Sequence, residues 1–204
     1  MTTVEVDTPH GLARAHLQTV AETRGALLLG HGAGGGIGAA DLVAATRAAL
    51  GEQIAVALVE QPYRVAGRRS PAPAHQLDAA WTAVVETLRA GPLAGLRLVV
   101  GGRSSGARVA CRTADAVGAV GVLCLAFPLR PPRRSASAAA ATRLPELDGV
   151  EVPTLVVQGD RDPFGIPPAS RTRKVVVVHG DHSLRSAAAA ISAAAAAWLS
   201  DVLA

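Results

Sequence analysis

LRLVVGGRSSGARVA, residues 96–110, is the stretch from which the fold can be read. It opens with an apolar run of strand character, crosses a pair of glycines and continues into residues that suit a helix. Within it, Gly102, Ser104 and Gly106 have the spacing G-x-S-x-G. A serine on a sharp strand-to-helix turn is forced into a strained backbone conformation that exposes its hydroxyl. Glycines two residues before and after it are needed, because side chains there would collide as strand and helix approach. Ser104 is therefore the candidate nucleophile. Ser105 is disfavoured, since Arg103 and Ala107 would then stand at the two glycine positions. The pentapeptide alone is a weak signal, and its strand–turn–helix setting makes it a strong one.

Outward from this stretch the same rhythm repeats. Short, nearly continuous apolar runs stand at Ala26–Leu29, Ile54–Val59, Leu96–Val100, Val122–Ala126, Thr154–Val157 and Val175–Val178. Continuous rather than alternating apolar character predicts parallel strands covered on both faces. Helical stretches are predicted at Ala39–Leu50, Ala74–Ala90, Ser105–Ala116 and Leu184–Leu203. Strand then helix, repeated, gives an α/β fold with a doubly wound sheet. Ahead of the first run, Val4–Asp7 and Leu12–His16 flank a turn at Pro9, His10 and Gly11, which reads as an antiparallel edge hairpin. Two segments rich in Pro, Gly and Arg, Gln61–Pro73 and Phe127–Arg134, follow strands and so fall at the carboxyl edge, where open α/β sheets bind ligands. No repeat or linker divides the chain, so residues 1–204 are expected to form a single domain.

Three further loops supply complementary chemistry. GHGAGGG, residues 30–36, follows the first core strand. Glycines there let backbone amides approach a substrate, and the amides of Ala33 and Ser105 are the expected oxyanion donors. The loop lacks the Gly-Lys-Ser/Thr ending of a phosphate-binding motif, and no acidic residue ends the next strand in register for a dinucleotide. VVQGDRDP, residues 156–163, offers two carboxylates that could hold an imidazole in its productive tautomer. Asp160 follows the strand at once and suits turn formation; Asp162, deeper in the loop and before a proline, suits the orienting role. VHGDHS, residues 178–183, places His182 on a loop crest, whereas His179 stays tied to the strand. Ser104, Asp162 and His182 thus come in the order Ser…Asp…His. His31 is expected to brace the glycine loop, and His10, His16 and His75 have no evident partners. His31, Gly34, Tyr63, Arg68 and Arg69 are candidate substrate-lining residues, the arginines as guides for acidic acyl groups.

Composition narrows the function classes. The chain has 204 residues, 50% hydrophobic and 18% charged, which supplies a core and argues against disorder. Aromatics make up 2%, so Ala, Val and Leu must build that core. The net charge of +4 comes from arginines that are scattered, with short clusters at Arg68–Arg69, Arg130–Arg134 and Arg171–Lys174 and no interleaved aromatics. No nucleic-acid partner is expected. The two cysteines, Cys111 and Cys124, read as buried free thiols, and no histidine spacing suits a metal. The N-terminus lacks a basic start and an apolar run, and the Ala-rich tail is interrupted by serines and an aspartate. A cytoplasmic protein without cofactor or membrane partner is expected, monomeric or homodimeric.

The stretches LLLGHGAGG, EQPYRVAGRRSPAP, VVGGRSSGARVA, VPTLVVQGDRDPFG and GDHSL resemble the α/β-hydrolase superfamily over essentially the whole chain. The likeness is greatest to a compact dienelactone-hydrolase-like branch, which also includes the hydrolase-like domain of a histone-acetyltransferase complex subunit. The resemblance implies a mostly parallel sheet of six to eight strands, helices on both faces and a minimal lid. It implies Ser104 as nucleophile, Asp162 as acid and His182 as base. Dienelactone hydrolases proper use a cysteine where this chain has Ser104, so their substrates are not implied. The expected activity is hydrolysis of a small-molecule ester, thioester or related acyl bond. The contrasting class is a non-catalytic hydrolase-like scaffold; the completeness of nucleophile, base, acid and oxyanion loop favours the enzyme.

Overall fold

The computed structural model describes residues 1–131 and 142–204. The described residues form eight strands: β1 (Thr2–Thr8), β2 (Gly11–Gln18), β3 (Gly25–Gly30), β4 (Ile54–Glu60), β5 (Leu98–Arg103), β6 (Gly121–Leu125), β7 (Thr154–Gly159) and β8 (Arg173–Val178). They form one sheet in the order β1-β2-β4-β3-β5-β6-β7-β8. β1 and β2 are the expected hairpin, and β2 pairs antiparallel with β4. All later pairings are parallel.

The core explains why the inner strands read as unbroken apolar runs. Ala26, Leu28, Ala55 and Ala57 point to one face, with α3 (Ala74–Ala90) and α4 (Ser105–Thr113). Leu27, Leu29, Ile54 and Val56 point to the other, with α1 (Ala40–Gly51) and α6 (Ala188–Val202). Successive residues of a strand face opposite ways, so a strand covered on both sides must be apolar at every position. Each leucine so buried contributes about 1.5–3 kcal/mol. With few aromatics, the largest fully buried side chain among the described residues is Trp81 of α3.

Boundaries differ from the sequence expectation where backbone geometry intervenes. Gly95 and Leu96 belong to a turn before β5, with Gly95 at φ +75°. α4 ends at Thr113 rather than Ala116, and α6 begins at Ala188 rather than Leu184. Leu184 has φ +52°, which no helix residue can adopt, and its side chain is buried. Within the loop expected over Gln61–Pro73, Pro62–Val65 forms a helical turn, α2, opened by a proline at its first position. A second short helix, α5 (Leu144–Asp148), precedes β7. Of the arginine cluster expected at Arg130–Arg134, Arg130 is described and exposed, and Arg133 and Arg134 lie outside the described residues. No described helix is long and apolar enough to cross a membrane.

β4 lies on one side of β3 and β5 on the other. The chain therefore changes winding direction at β3, and a crevice opens at the carboxyl ends of β3 and β5. The loops after β3, β5, β7 and β8 converge there.

Candidate active site

Ser104 sits between β5 and α4 with φ 52° and ψ −107°. A non-glycine residue in such a conformation costs on the order of 1–3 kcal/mol and persists only where the surroundings enforce it. Here the amide of Ser104 donates to the Leu125 carbonyl at 2.9 Å, which fixes the turn against β6. A Cβ on Gly102 would stand 2.5 Å from the Gly30 carbonyl oxygen, and one on Gly106 would strike the same atom. The two glycines of the motif are thus sterically required by the approach of β3.

The Ser104 hydroxyl lies 3.0 Å from His182 Nε2, and His182 Nδ1 lies 2.8 Å from Asp162 Oδ2. A carboxylate can only accept, so the imidazole carries its proton on Nδ1 and leaves Nε2 to accept from the serine. The Asp162 side chain is fully buried and that of His182 is 20% exposed. Asp162 is held at both oxygens. Oδ1 accepts the Phe164 amide at 2.9 Å, and Oδ2 accepts Gln158 Nε2 at 2.8 Å. The same Gln158 nitrogen also reaches the carbonyls of Phe127 and Gly165, at 3.1 and 3.0 Å. All three partners are acceptors, which fixes the amide orientation. The Phe164 ring meets the imidazole edge-on, with centroids 4.5 Å apart.

The glycine loop is braced from below. The Gln61 amide donates to His31 Nε2 at 3.2 Å, so the ring is neutral and its Nδ1–H donates to the Gly32 carbonyl at 2.8 Å. Burial, the largest influence on His31, pushes its pKa down and favours this neutral form. Tyr63 is buried, with its phenol pKa pushed up to about 12, chiefly by burial. Its hydroxyl donates to the Ala33 carbonyl at 3.0 Å. His31 and Tyr63, both candidate substrate-lining residues, hold the loop that carries Ala33, a bracing role also expected of His31. Among the described residues, the amides of Ala33 and Ser105 donate to no protein acceptor. Behind this loop, His31, Gln61, Tyr63 and Trp81 face Ser105 and Gly106 across a recess with room for about one water, too small for an acyl chain.

Other sequence-selected residues stand apart. Gly34, Arg68 and Arg69 are exposed, and a Cβ at Gly34 would meet nothing within 4 Å. His16, for which no partner was expected, lies 2.8 Å from Glu60, across the β2–β4 pairing. Cys111 and Cys124 are buried free thiols with sulfurs 3.5 Å apart. Among the described residues, no three His, Cys, Asp or Glu side chains converge as metal ligands.

Three residues with no role in the sequence reading touch the site: Gln158, Phe164 and Arg103. Gln158, a polar residue ending an apolar strand, was the one with a visible signal. Arg103 Nη2 donates to the His182 carbonyl at 2.9 Å. Its Nε stands 2.9 Å from Oδ2 of Asp41, close enough for an ion pair although the N–H is turned off the line to that oxygen. Burial pushes the Asp41 carboxyl upward, and the Arg103 charge pulls it down.

The sequence pattern of a family described as alpha/beta hydrolase domain matches residues 23–198, and the chain belongs to that family. Solved structures share the fold at low identity. A serine hydrolase without lid from Xanthomonas campestris has a TM-score of 0.72 at 19% identity, covering 97% of this chain and 94% of that one. Est1E from Butyrivibrio proteoclasticus reaches 0.79 at 13% identity, covering 100% and 99%. A dienelactone hydrolase from Anabaena variabilis gives 0.72 at 15% identity, covering 97% and 95%. No curated protein matches the chain.

Proposed function

We propose that this α/β-hydrolase, a single domain acting in the cytoplasm, cleaves an ester, thioester or related acyl bond through an acyl-serine intermediate. The observation that carries the reading is the unbroken hydrogen-bond chain from Ser104 through His182 to buried Asp162. Ser104 Oγ attacks the acyl carbon as its proton passes to His182 Nε2. The tetrahedral oxyanion accepts hydrogen bonds from the amides of Ala33 and Ser105, which donate to no other acceptor among the described residues. The helix N-terminus behind Ser104 adds a favourable dipole. Collapse breaks the bond to the leaving group, which takes the proton from His182. Water then attacks the acyl-serine, gives a proton to His182, and the proton returns to Ser104 as the acid departs. Asp162 stabilises the imidazolium at each of these steps and keeps its tautomer.

The test is labelling by a fluorophosphonate probe. Wild type and Ser105→Ala are expected to label, and Ser104→Ala to lose labelling with an unchanged melting temperature. Labelling of Ser104→Ala at the wild-type rate would end this reading. Arg68 and Arg69 stand exposed at the same sheet edge, which supports a preference for anionic acyl groups. An Arg68→Ala/Arg69→Ala variant should then lower the anionic-to-neutral ratio of kcat/KM for matched esters, with the difference fading at high salt.

A further inference from the structure

Only positions 102, 104 and 106 of the G-x-S-x-G turn are dictated by the turn itself. Position 103 faces no such demand, yet Arg103 reaches Asp41, the His182 carbonyl and the glycine loop. Its guanidinium pairs with Asp41 in the first turn of α1 and donates to the backbone carbonyl of His182. Its Nη1 lies so near the glycine loop that a Cβ on Gly32 would come within 2.7 Å of it. One side chain therefore ties the nucleophile turn to the loop after β3 and to the loop after β8.

Asp41 is the anchor. Its side chain is wholly buried, and its other oxygen accepts the Leu42 amide at 2.9 Å. Holding a carboxylate there requires a cation, and only one with a planar fork can serve Asp41 and the His182 carbonyl together. The imidazole needs such help. Between the end of β8 at Val178 and the start of α6 at Ala188, His182 rides on a loop. Asp162 fixes the ring at Nδ1 and Phe164 abuts it, but both belong to the loop after β7. The contact from Arg103 to the carbonyl of His182 comes from the residue next to Ser104 itself. It couples the position of the base directly to that of the nucleophile.

We infer that Arg103, anchored by Asp41, is a positioning residue that holds the His182 imidazole at proton-transfer distance from Ser104. This rests on the hydrolase reading above for its kinetic consequence, though not for its structural one. A misplacement of about 1 Å between reacting groups can cost on the order of a hundredfold in rate.

The experiment compares wild type with Arg103→Lys, Arg103→Met and Arg103→Met/Asp41→Asn. Arg103→Met alone leaves Asp41 buried without a counter-ion and is expected to lower the melting temperature. The double variant removes that charge and should recover most of the loss. Its kcat for a small chromogenic ester should nevertheless stay about 100-fold below wild type, with KM changed less than about threefold. Arg103→Lys, which keeps the charge without the fork, should fall between. A crystal structure of the double variant should have His182 Nε2 beyond hydrogen-bonding reach of Ser104 Oγ. Recovery of kcat together with melting temperature would overturn the inference, leaving the pair a stability device. Should wild type itself neither label nor turn over, the hydrolase reading fails alone. The positioning claim is then decided by the crystal structure, and an unmoved imidazole overturns it.

Discussion

Two Asp–His pairs join the same two loops, and they have little else in common. Asp160 and His179 approach to 3.1 Å with side chains 41% and 75% exposed. Asp162 and His182 approach to 2.8 Å with side chains wholly buried and 20% exposed. The outer pair is hydrated and competes with water, so it fixes little beyond the shape of the turn. Asp160 also accepts the Gly180 amide at 2.9 Å, a link between the loops after β7 and β8. The inner pair is shut off by Phe164 and supplied with donors by Gln158 and the Phe164 amide. Identical residue types thus become an exposed brace in one place and, in the function proposed above, an acid–base couple in the other. The difference is solvent and the neighbour at the far nitrogen: Ser104 for His182, Arg161 for His179.

The sharpest way to break this contrast is to remove members of each pair in turn. His182→Ala should cost on the order of a million-fold in kcat, as loss of a base acting in concert with its nucleophile does. Asp162→Asn should cost on the order of ten-thousand-fold through the wrong imidazole tautomer. His179→Ala and Asp160→Asn should each change kcat less than about threefold, a residual effect without tautomer or proton transfer at stake. Steady-state kinetics on one activated ester measures all four. Comparable losses in both pairs would erase the distinction.

A smaller effect sharpens what burial supplies. Gln158→Leu keeps the bulk and removes the donor to Asp162 Oδ2. A hydrogen bond to a charged, buried group contributes about 1.5–3 kcal/mol, so kcat should fall about 10- to 100-fold. The carbonyls of Phe127 and Gly165 lose their donor too, and the melting temperature should drop. An unchanged kcat would mean that the Phe164 amide alone sustains the carboxylate.

The smallest effect belongs to the outer pair and is read in stability. The Gly180 amide, followed by His179, holds the Asp160 carboxyl below its ordinary pKa. A carboxylate with depressed pKa stabilises the fold above its unfolded value, and that contribution is lost as pH falls through the folded value. Asp160→Asn should therefore melt slightly below wild type at pH 7. The two curves should converge as pH falls below the ordinary aspartate value of about 4. Melting curves across that range check the sign, and a gap that widens in acid would reverse it.

The sequence by itself determined the alternation of strands and helices, the elbow at Ser104 and the chain order of Ser104, Asp162 and His182. These features rest on local rules. A both-faces-buried strand must be apolar throughout, and a turn that brings β5 and α4 against β3 admits only glycine at positions 102 and 106. The loop positions of Asp162 and His182 were legible for the same reason, since each stands a fixed few residues beyond a strand end. Tertiary structure alone decided what meets what across the sheet edge. Tyr63, from the segment after β4, reaches the Ala33 carbonyl in the loop after β3. His16 finds Glu60 only because β2 pairs with β4. Arg103 finds Asp41 and the His182 carbonyl only because β3, β5 and β8 end at one edge. Such meetings are set by strand order and by how loops pack, and neither leaves a period or spacing in the chain.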